Sequence, residues 1–265
     1  MKLSAYVGGV GVLGPGFKDW PDASEVLSGR HAYVPAPTVL PIPAILPAAE
    51  RRRTGRVVKL ALAIALEATT RGGADPSKLA SVFSSSGGDG HNCHEICQAL
   101  ALETREISPT RFANSVHNVA AGYWSIATGA MSESNVLCAF DASFAAGLLE
   151  ALTQVAVDHM PLLLVAYDSE YPDPLHAKRP VPDAFGAAFL LSPERQPASL
   201  AQIAAVLTDQ AIDTMTDPLL ESLRTSIPAA RGLPLLRQLA LRRAGRTVLE
   251  YLDGLRILVS VAPCS

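Results

Sequence analysis

The passage from Cys138 to Ser143 holds the residues best placed to do chemistry. A strand-like run leads into an apolar helix in LCAFDASFAAGLLEAL, and Asp141 and Ser143 lie at the junction. In α/β enzymes such an elbow exposes a nucleophile, because the helix N-terminus stabilises negative charge. The same residue types are common at helix starts, where Ser143 would cap the helix and Asp141 would add favourable charge. Local physics alone favours the capping interpretation.

A second candidate lies in SVHN, residues 115–118, directly before a helix rich in alanine and glycine. His117 in this position could serve as a general base near the core. A buried neutral ring with one hydrogen-bond partner is the commoner outcome for such a histidine. Ser115 and Asn118 are interpreted as capping residues of the helix that follows.

Histidines and cysteines cluster in GDGHNCHEICQAL. Cys93 and Cys97 share one helix face, and His94 lies one turn from Cys97. Zinc sites use these residue types, but they take a second ligand pair elsewhere in the chain, and none is found. We interpret the cluster as a helix start and expect no metal, and the sequence assigns no role to Cys93, His94 and Cys97.

Three glycines follow the first predicted strand with the G-x-G-x-x-G spacing of a dinucleotide site, at Gly9, Gly11 and Gly14. That site needs a helix that opens at the third glycine, so that its N–H groups face the pyrophosphate. Here Gly14-Pro15-Gly16 follows, and no amphipathic helix begins. The pattern is interpreted as a plain glycine turn, and we expect no nucleotide cofactor.

Composition excludes several classes of protein. The chain has 265 residues, of which 49% are apolar and 18% charged, so it is neither disordered nor fibrous. Its formal net charge of −3 provides no basic field for nucleic acid. Apolar runs such as residues 161–167 are too short to span a bilayer, and four cysteines do not form a disulfide scaffold. We expect a cytoplasmic protein without a membrane span.

Apolar periodicity predicts strands that alternate with helices, and several strands are apolar on both faces. This combination indicates an α/β layered fold with a mixed sheet and helices on both faces. A proline-crowded loop is expected between Tyr33 and Pro47, and a hairpin is expected to turn at Asp253-Gly254. The predicted strands are 2–15, 79–88, 134–143, 161–170, 184–192 and 200–208, and the predicted helices are 54–73, 94–105, 119–130, 143–160 and 214–245, the last interrupted at Pro228 and Pro234.

This order of elements resembles the N-terminal half of a β-ketoacyl synthase of the thiolase-like superfamily. VGGVGVLGPGFKDW is similar to the opening strand, glycine turn and following helix of that family, and VFSSSGGDG is similar to its second strand and Gly-Ser-rich loop. The stretch from SPTRFANSVHN to NVLCAF resembles the approach to the nucleophile strand, and DAFGAAFLLSPE resembles the last core strand. The resemblance implies a ketoacyl-synthase N-terminal-like domain at 1–195 and a C-terminal extension, 196–265, packed on it.

The resemblance also shows what the chain lacks. Aligned with the family pattern, Asp141 stands where the nucleophilic cysteine belongs, and Cys138 comes three residues too early. An aspartate cannot form an acyl thioester. The family's further catalytic residues, two histidines or a histidine and an asparagine, come from its second half, whereas all six histidines of this chain precede Pro193. Ketosynthase activity is therefore not expected.

Short ketosynthase-like proteins and chain-length factors also keep this fold without the cysteine. The resemblance thus implies a non-condensing accessory or scaffold protein of aryl polyene, polyketide or fatty acid biosynthesis. Its expected partners are a ketosynthase subunit, in a homo- or heterodimer, and acyl carrier protein with an acyl chain on its phosphopantetheine. The alternative is a small acyl-thioester hydrolase or acyltransferase in which His117 acts with Asp141 or Ser143.

Overall fold

One mixed β-sheet organises the computed structural model, which describes residues 3–264, so that the predicted strand start at Lys2 lies outside the described residues. The strands are β1 (Leu3–Leu13), β2 (Ala80–Ser84), β3 (Ser134–Leu137), β4 (Leu162–Asp168), β5 (Phe185–Ser192), β6 (Ala201–Thr208), β7 (Gly245–Leu252) and β8 (Leu255–Pro263). They are ordered β3-β2-β4-β5-β1-β6-β8-β7. The β2 strand is parallel to β3 and β4, and the remaining pairs are antiparallel.

Helices cover both faces of this sheet, as predicted. They are α1 (Trp20–Leu27), α2 (Ala48–Arg51), α3 (Arg56–Gly72), α4 (Gly90–Ala101), α5 (Pro109–Ala113), α6 (Val119–Thr128), α7 (Ser143–Asp158), α8 (Pro218–Ser226) and α9 (Leu233–Ala240). Two short 3-10 turns matter for the site, and we call Phe140–Ala142 the elbow turn and Pro228–Gly232 the C-terminal turn.

The core has two apolar layers, one on each side of the sheet. One layer packs α3 and α6 against β2, β4 and β5. The other packs α7, α1 and α9 against the opposite face. Strands β4 and β5 are buried along their whole length, which explains why their sequences are apolar on both faces.

The residues after 195, which we call the C-terminal segment, continue the same sheet instead of forming a second one. Strand β6 pairs with β1, β8 pairs with β6, and β7 forms the far end. Residues of β7 contact both α7 and the elbow turn, so the end of the sheet folds over the α7 layer. The C-terminal segment therefore reaches the elbow, while the boundary at residue 195 stays a prediction.

The structure corrects the interpretation of the glycine motif. Gly9 and Gly11 lie inside β1, not in a turn, and they face α3. A Cβ on Gly9 would lie 2.1 Å from the carbonyl oxygen of Ala68, and one on Gly11 would lie 2.1 Å from that of Ile64. These two glycines therefore let the α3 backbone approach the sheet more closely than any side chain would permit.

Several predicted boundaries shift, each for a local reason. Helix α4 begins at Gly90 because the Asp89 carboxylate accepts a hydrogen bond from the Asn92 amide. Strand β3 ends at Leu137, because the chain turns sharply at Phe140. Pro234 lies in the first turn of α9, where its missing N–H costs nothing, so the predicted interruption there is wrong.

One stretch, Phe140–Asp158, is long and apolar enough to cross a membrane by length and composition, and half of it is buried in the structure. It contains α7, which packs against β1, β2 and β4. A core helix of a layered fold passes this test as readily as a membrane span does. The apolar residues of this stretch are therefore explained by their position in the core.

The close approach of α3 to β1 makes a testable prediction about stability. Gly11→Ala should lower the free energy of unfolding by about 2 kcal/mol or more, because the new methyl group meets backbone atoms that cannot move away independently. Gly122→Ala is the matched control, since a Cβ at this α6 position meets nothing within 4 Å. It should raise stability by about 0.5–1 kcal/mol. Equal effects in chemical denaturation would contradict the close-approach explanation.

Candidate functional site

The elbow is a strained turn held by one hydroxyl. Phe140 has a φ of 52°, a left-handed conformation that a bulky residue rarely adopts. The Ser143 hydroxyl donates to the carbonyl oxygen of Phe140 at 2.7 Å and accepts from the Ala139 amide at 3.0 Å. In addition, the Ser84 hydroxyl at the end of β2 donates to the Ser143 carbonyl at 2.6 Å. These bonds fix the start of α7 against the sheet.

Ser143 is buried, with 1% of its surface exposed, and its hydroxyl is engaged in the turn just described. Ala142, not Ser143, occupies the N-cap position of α7, and no side chain caps this helix. The predicted capping role of Ser143 is therefore wrong in detail. Its hydroxyl bonds backward to the elbow turn, which is a structural role.

Asp141 lies at the elbow, as predicted, and its carboxylate is paired with two arginines. Arg179 donates to one carboxylate oxygen and Arg231 donates to the other at 3.0 Å. Arg179 comes from the loop after β4, and Arg231 comes from the C-terminal turn. Two guanidinium groups thus occupy both carboxylate oxygens as charge-assisted hydrogen-bond donors.

The ion pairs extend beyond Asp141 into what we call the elbow network, formed by Asp141, Arg179, Arg231, Glu250 and Arg224. Glu250 on β7 pairs with Arg231 and lies 3.8 Å from Arg224 on α8. Arg224 in turn makes two hydrogen bonds to Glu221, at 2.8 and 2.6 Å. Arg224 and Arg231 are largely buried, so removing one partner would leave a poorly solvated charge.

An exposed aromatic ring and a small cavity adjoin the network. The guanidinium carbon of Arg179 lies 3.8 Å from the centre of the Phe140 ring, which is a cation–π contact. A cavity of about 300 Å³ next to Asp141 is lined by Arg179, Val181 and residues of α8. It is at the lower end of the range for small-molecule sites. The elbow is thus accessible, and its carboxylate is paired with two arginines.

The structure does not join His117 to the elbow. Its ring lies by the loop after β2, 3.7 Å from where a Cβ on Gly88 would be, and its Nε2 is buried without a hydrogen-bond partner. No hydrogen bond or ion pair within residues 3–264 connects it to Asp141 or Ser143. The predicted capping roles of Ser115 and Asn118 are also wrong. Asn118 is at the N-cap position of α6, but its side chain makes no capping hydrogen bond, and the Ser115 hydroxyl donates to the carbonyl oxygen of Phe112.

Cys138 makes a backbone contact, and the pKa of Cys93 is raised. Cys138 is exposed, and its Sγ is 3.0 Å from the carbonyl oxygen of Ser86. Desolvation and the neighbouring Cys97 thiol raise the pKa of Cys93, which is the opposite of activation. Across residues 3–264, no three histidine, cysteine or acidic side chains are grouped closely enough to hold a metal ion.

A buried carboxylate, Asp168 at the end of β4, positions the loops around the elbow. One oxygen accepts from the Ser86 amide at 2.8 Å and the Ser86 hydroxyl at 2.7 Å, and the other accepts from the Ala229 amide at 2.9 Å. Asp168 thereby ties the loop after β2 to the C-terminal turn that carries Arg231. Burial raises the pKa of Asp168 to about 6, although these hydrogen bonds act to lower it.

Sequence reasoning did not identify the partners of Asp141. Arg179 and Arg231 lie far along the chain from the elbow, and no spacing in the sequence links them to it. Asp168 had a readable signal, since an acidic residue directly after the apolar run LLLVAY ends a buried strand. A buried charge in that position requires hydrogen-bond donors, and two separate loops supply them here.

The raised pKa of Asp168 predicts how stability depends on pH. Unfolded chains release this proton near pH 3.8 and the folded protein releases it near pH 6, so between these values the folded state binds more protons. The contribution of Asp168 to stability is therefore present below about pH 4 and lost as pH rises through 6. The loss should be about 3 kcal/mol.

Chemical denaturation of the wild type and Asp168→Asn at several pH values between 3.5 and 7 tests this prediction. The variant lacks the titrating group, so its stability should fall less steeply with rising pH over this window. Because all other groups titrate in both proteins, the difference between the two curves isolates Asp168. Parallel curves would contradict the prediction.

Solved structures share the fold over nearly the whole chain. A ketosynthase, ApeO, in complex with its chain length factor, ApeC, from Xenorhabdus doucetiae matches with a TM-score of 0.73 and 24% identity, covering 97% of this chain and 99% of that chain. The ishigamide ketosynthase/chain length factor matches with a TM-score of 0.73 and 12% identity, covering 99% and 100%. A type II ketosynthase in complex with its acyl-carrier protein, AntDE:AntF, matches with a TM-score of 0.75 and 13% identity, covering 100% of both chains.

These matches confirm the predicted α/β thiolase-like fold, and at such identities they show the fold alone. No curated protein sequence matches the chain. Residues 26–239, however, match the family described as beta-ketoacyl synthase, N-terminal domain, and this stretch continues past residue 195 into the C-terminal segment. Since the match covers most of the sequence, the chain belongs to the beta-ketoacyl synthase N-terminal domain family.

Proposed function

We propose that this protein is a non-condensing, chain-length-factor-like subunit that pairs with a ketosynthase in polyene, polyketide or fatty acid biosynthesis. The observation that carries the proposal is the elbow, where two arginines hold the Asp141 carboxylate. The resemblance to the family aligns this aspartate with the nucleophilic cysteine. A member of this family with that substitution keeps the fold but lacks the group that forms the acyl thioester. We therefore infer that its contribution comes from binding and not from covalent catalysis.

The elbow network supports this interpretation. Asp141 is paired at both oxygens, Ser143 is buried, and the nearest thiol, Cys138, lies before the turn. Replacing Asp141 by an attacking group would leave the largely buried Arg231 without one of its partners. The network thus stabilises the turn in a form that does not require a nucleophile.

A free sheet edge supports the expectation of a protein partner. Strand β3 ends the sheet and is hydrogen-bonded only to β2. Ser134 and Asn135 on it are exposed, and two exposed apolar residues flank the strand, Met131 with 94% of its surface exposed and Phe140 with 61%. An unpaired edge beside apolar side chains favours pairing with another chain.

The kind of partner follows from family and fold together. Ketosynthase–chain length factor pairs and a ketosynthase–acyl-carrier-protein complex are among the structures with this fold. We therefore propose a ketosynthase subunit as the partner at the β3 edge. The ligand of the resulting complex would be an acyl or aryl chain on the phosphopantetheine of acyl carrier protein.

Co-expression of the full chain with ketosynthases from the organism that encodes it tests the partner. We expect a stable heterodimer in size-exclusion chromatography with light scattering. Met131→Glu should weaken this complex about tenfold or more, because it places a charge at the proposed interface.

Leu252→Glu is the control at the opposite end of the sheet, since Leu252 is also an exposed apolar residue, 49% exposed, on β7. It should leave the affinity within about twofold. A chain that stays monomeric with the ketosynthase present, or equal effects of the two variants, would contradict the proposed interface.

A second experiment tests the absence of covalent chemistry. The chain alone, incubated with acyl thioesters of acyl carrier protein, should release no free acid and gain no acyl mass in intact-protein mass spectrometry. His117→Ala and Ser143→Ala should behave like the wild type. Turnover that disappears in either variant would instead establish the hydrolase or acyltransferase alternative.

A further inference from the structure

A second cavity, unrelated to the elbow, lies beneath the proline-rich segment 33–47, which we call the strap. Its volume is about 760 Å³, within the range of small-molecule sites. Its walls are mainly apolar, and no residue lines both this cavity and the one beside Asp141. The apolar lining consists of Val12, Leu13, Phe17, Ala63 and Ile64 below, and Val34, Ala36, Pro37, Val39 and Pro41 from the strap.

The strap is fixed, so the cavity is preformed. The Gly16 amide donates to the carbonyl oxygen of Ala36 at 2.9 Å, and the Tyr33 hydroxyl donates to that of Pro15 at 2.8 Å. Farther along, the Thr38 amide and hydroxyl both donate to the Asp183 carboxylate. Because prolines limit the remaining backbone freedom, ordering this wall on ligand binding would cost little free energy.

Two cationic side chains lie where the apolar cavity meets a neighbouring cleft of about 600 Å³. Arg71 and Lys18 line both spaces. The Nε of Arg71 donates to Glu67 at 2.8 Å, but its two terminal nitrogens have no acceptor among residues 3–264. Lys18 is 81% exposed and lies 3.6 Å from Asp22. Both side chains therefore have donors free for a ligand.

The carboxylates at the same place are already occupied. The Glu67 oxygens accept from the Val12 amide at 3.0 Å and the Trp20 amide at 2.7 Å, and its burial raises its pKa. The Asp19 carboxylate accepts from the Asp22 amide at 2.9 Å as the cap of α1. The unsatisfied polar groups at this boundary are thus donors, which suits an anionic acceptor.

We propose that this cavity binds a carboxylate with a linear apolar tail, of the fatty-acid type, with its head on Arg71 and Lys18 and its tail beneath the strap. The apolar walls accommodate the tail, and a planar carboxylate matches the two terminal nitrogens of a guanidinium. The site belongs to this chain alone and does not depend on a partner subunit.

Isothermal titration of the purified full chain with decanoate, below its micelle concentration, tests the proposal. We expect saturable one-to-one binding, with decan-1-ol and butanoate each about tenfold weaker or more. Arg71→Gln should weaken decanoate about tenfold and leave decan-1-ol within about twofold, because only the head contact is lost. Thermal unfolding of each variant verifies that it is folded.

A matched pair of strap variants tests the location. Val39 lines the cavity and is 81% exposed, whereas Ile42 is 73% exposed on the same strap and does not line it. Val39→Asp should weaken decanoate about tenfold and Ile42→Asp should not. Absence of saturable binding, equal affinity for decanoate and decan-1-ol, or equal effects of the two strap variants would each overturn the proposal. None of these results bears on the ketosynthase partner.

Discussion

The arrangement of the elbow depends on one buried carboxylate, Asp168. This carboxylate is buried, and backbone amides from two separate loops and the Ser86 hydroxyl donate to it. One of those loops follows β2, and the other is the C-terminal turn that carries Arg231. Through this carboxylate the C-terminal segment is fixed against the central strands. The pairing of Arg231 with Asp141 follows from that placement.

The elbow keeps a backbone conformation that costs energy. A left-handed Phe140 costs about 1–2 kcal/mol, and the bonds of the Ser143 hydroxyl, together with the Arg179 contact on the Phe140 ring, offset this cost. The turn is therefore maintained by structural bonds alone.

Much of the fold could be predicted from the sequence, because its helices and strands follow from local patterns of apolar and turn residues. The alternation of strands and helices, the glycine end of α3 and the hairpin at Asp253-Gly254 are all found where expected. The role of the β1 glycines could not be predicted from local patterns. Glycine is required there because the α3 backbone packs against β1, and this contact exists only in the folded protein.

The sequence by itself determined the family, the mixed sheet and the presence of an aspartate, not a thiol, at the elbow, since each depends on residue type and order. Only the tertiary structure decided what that aspartate does. Its partners, Arg179 and Arg231, come from distant segments, and long-range ion pairs leave no periodic trace in a sequence. For the same reason, the sequence did not predict the cavity beneath the strap, because its walls come from β1, α3 and the proline-rich segment.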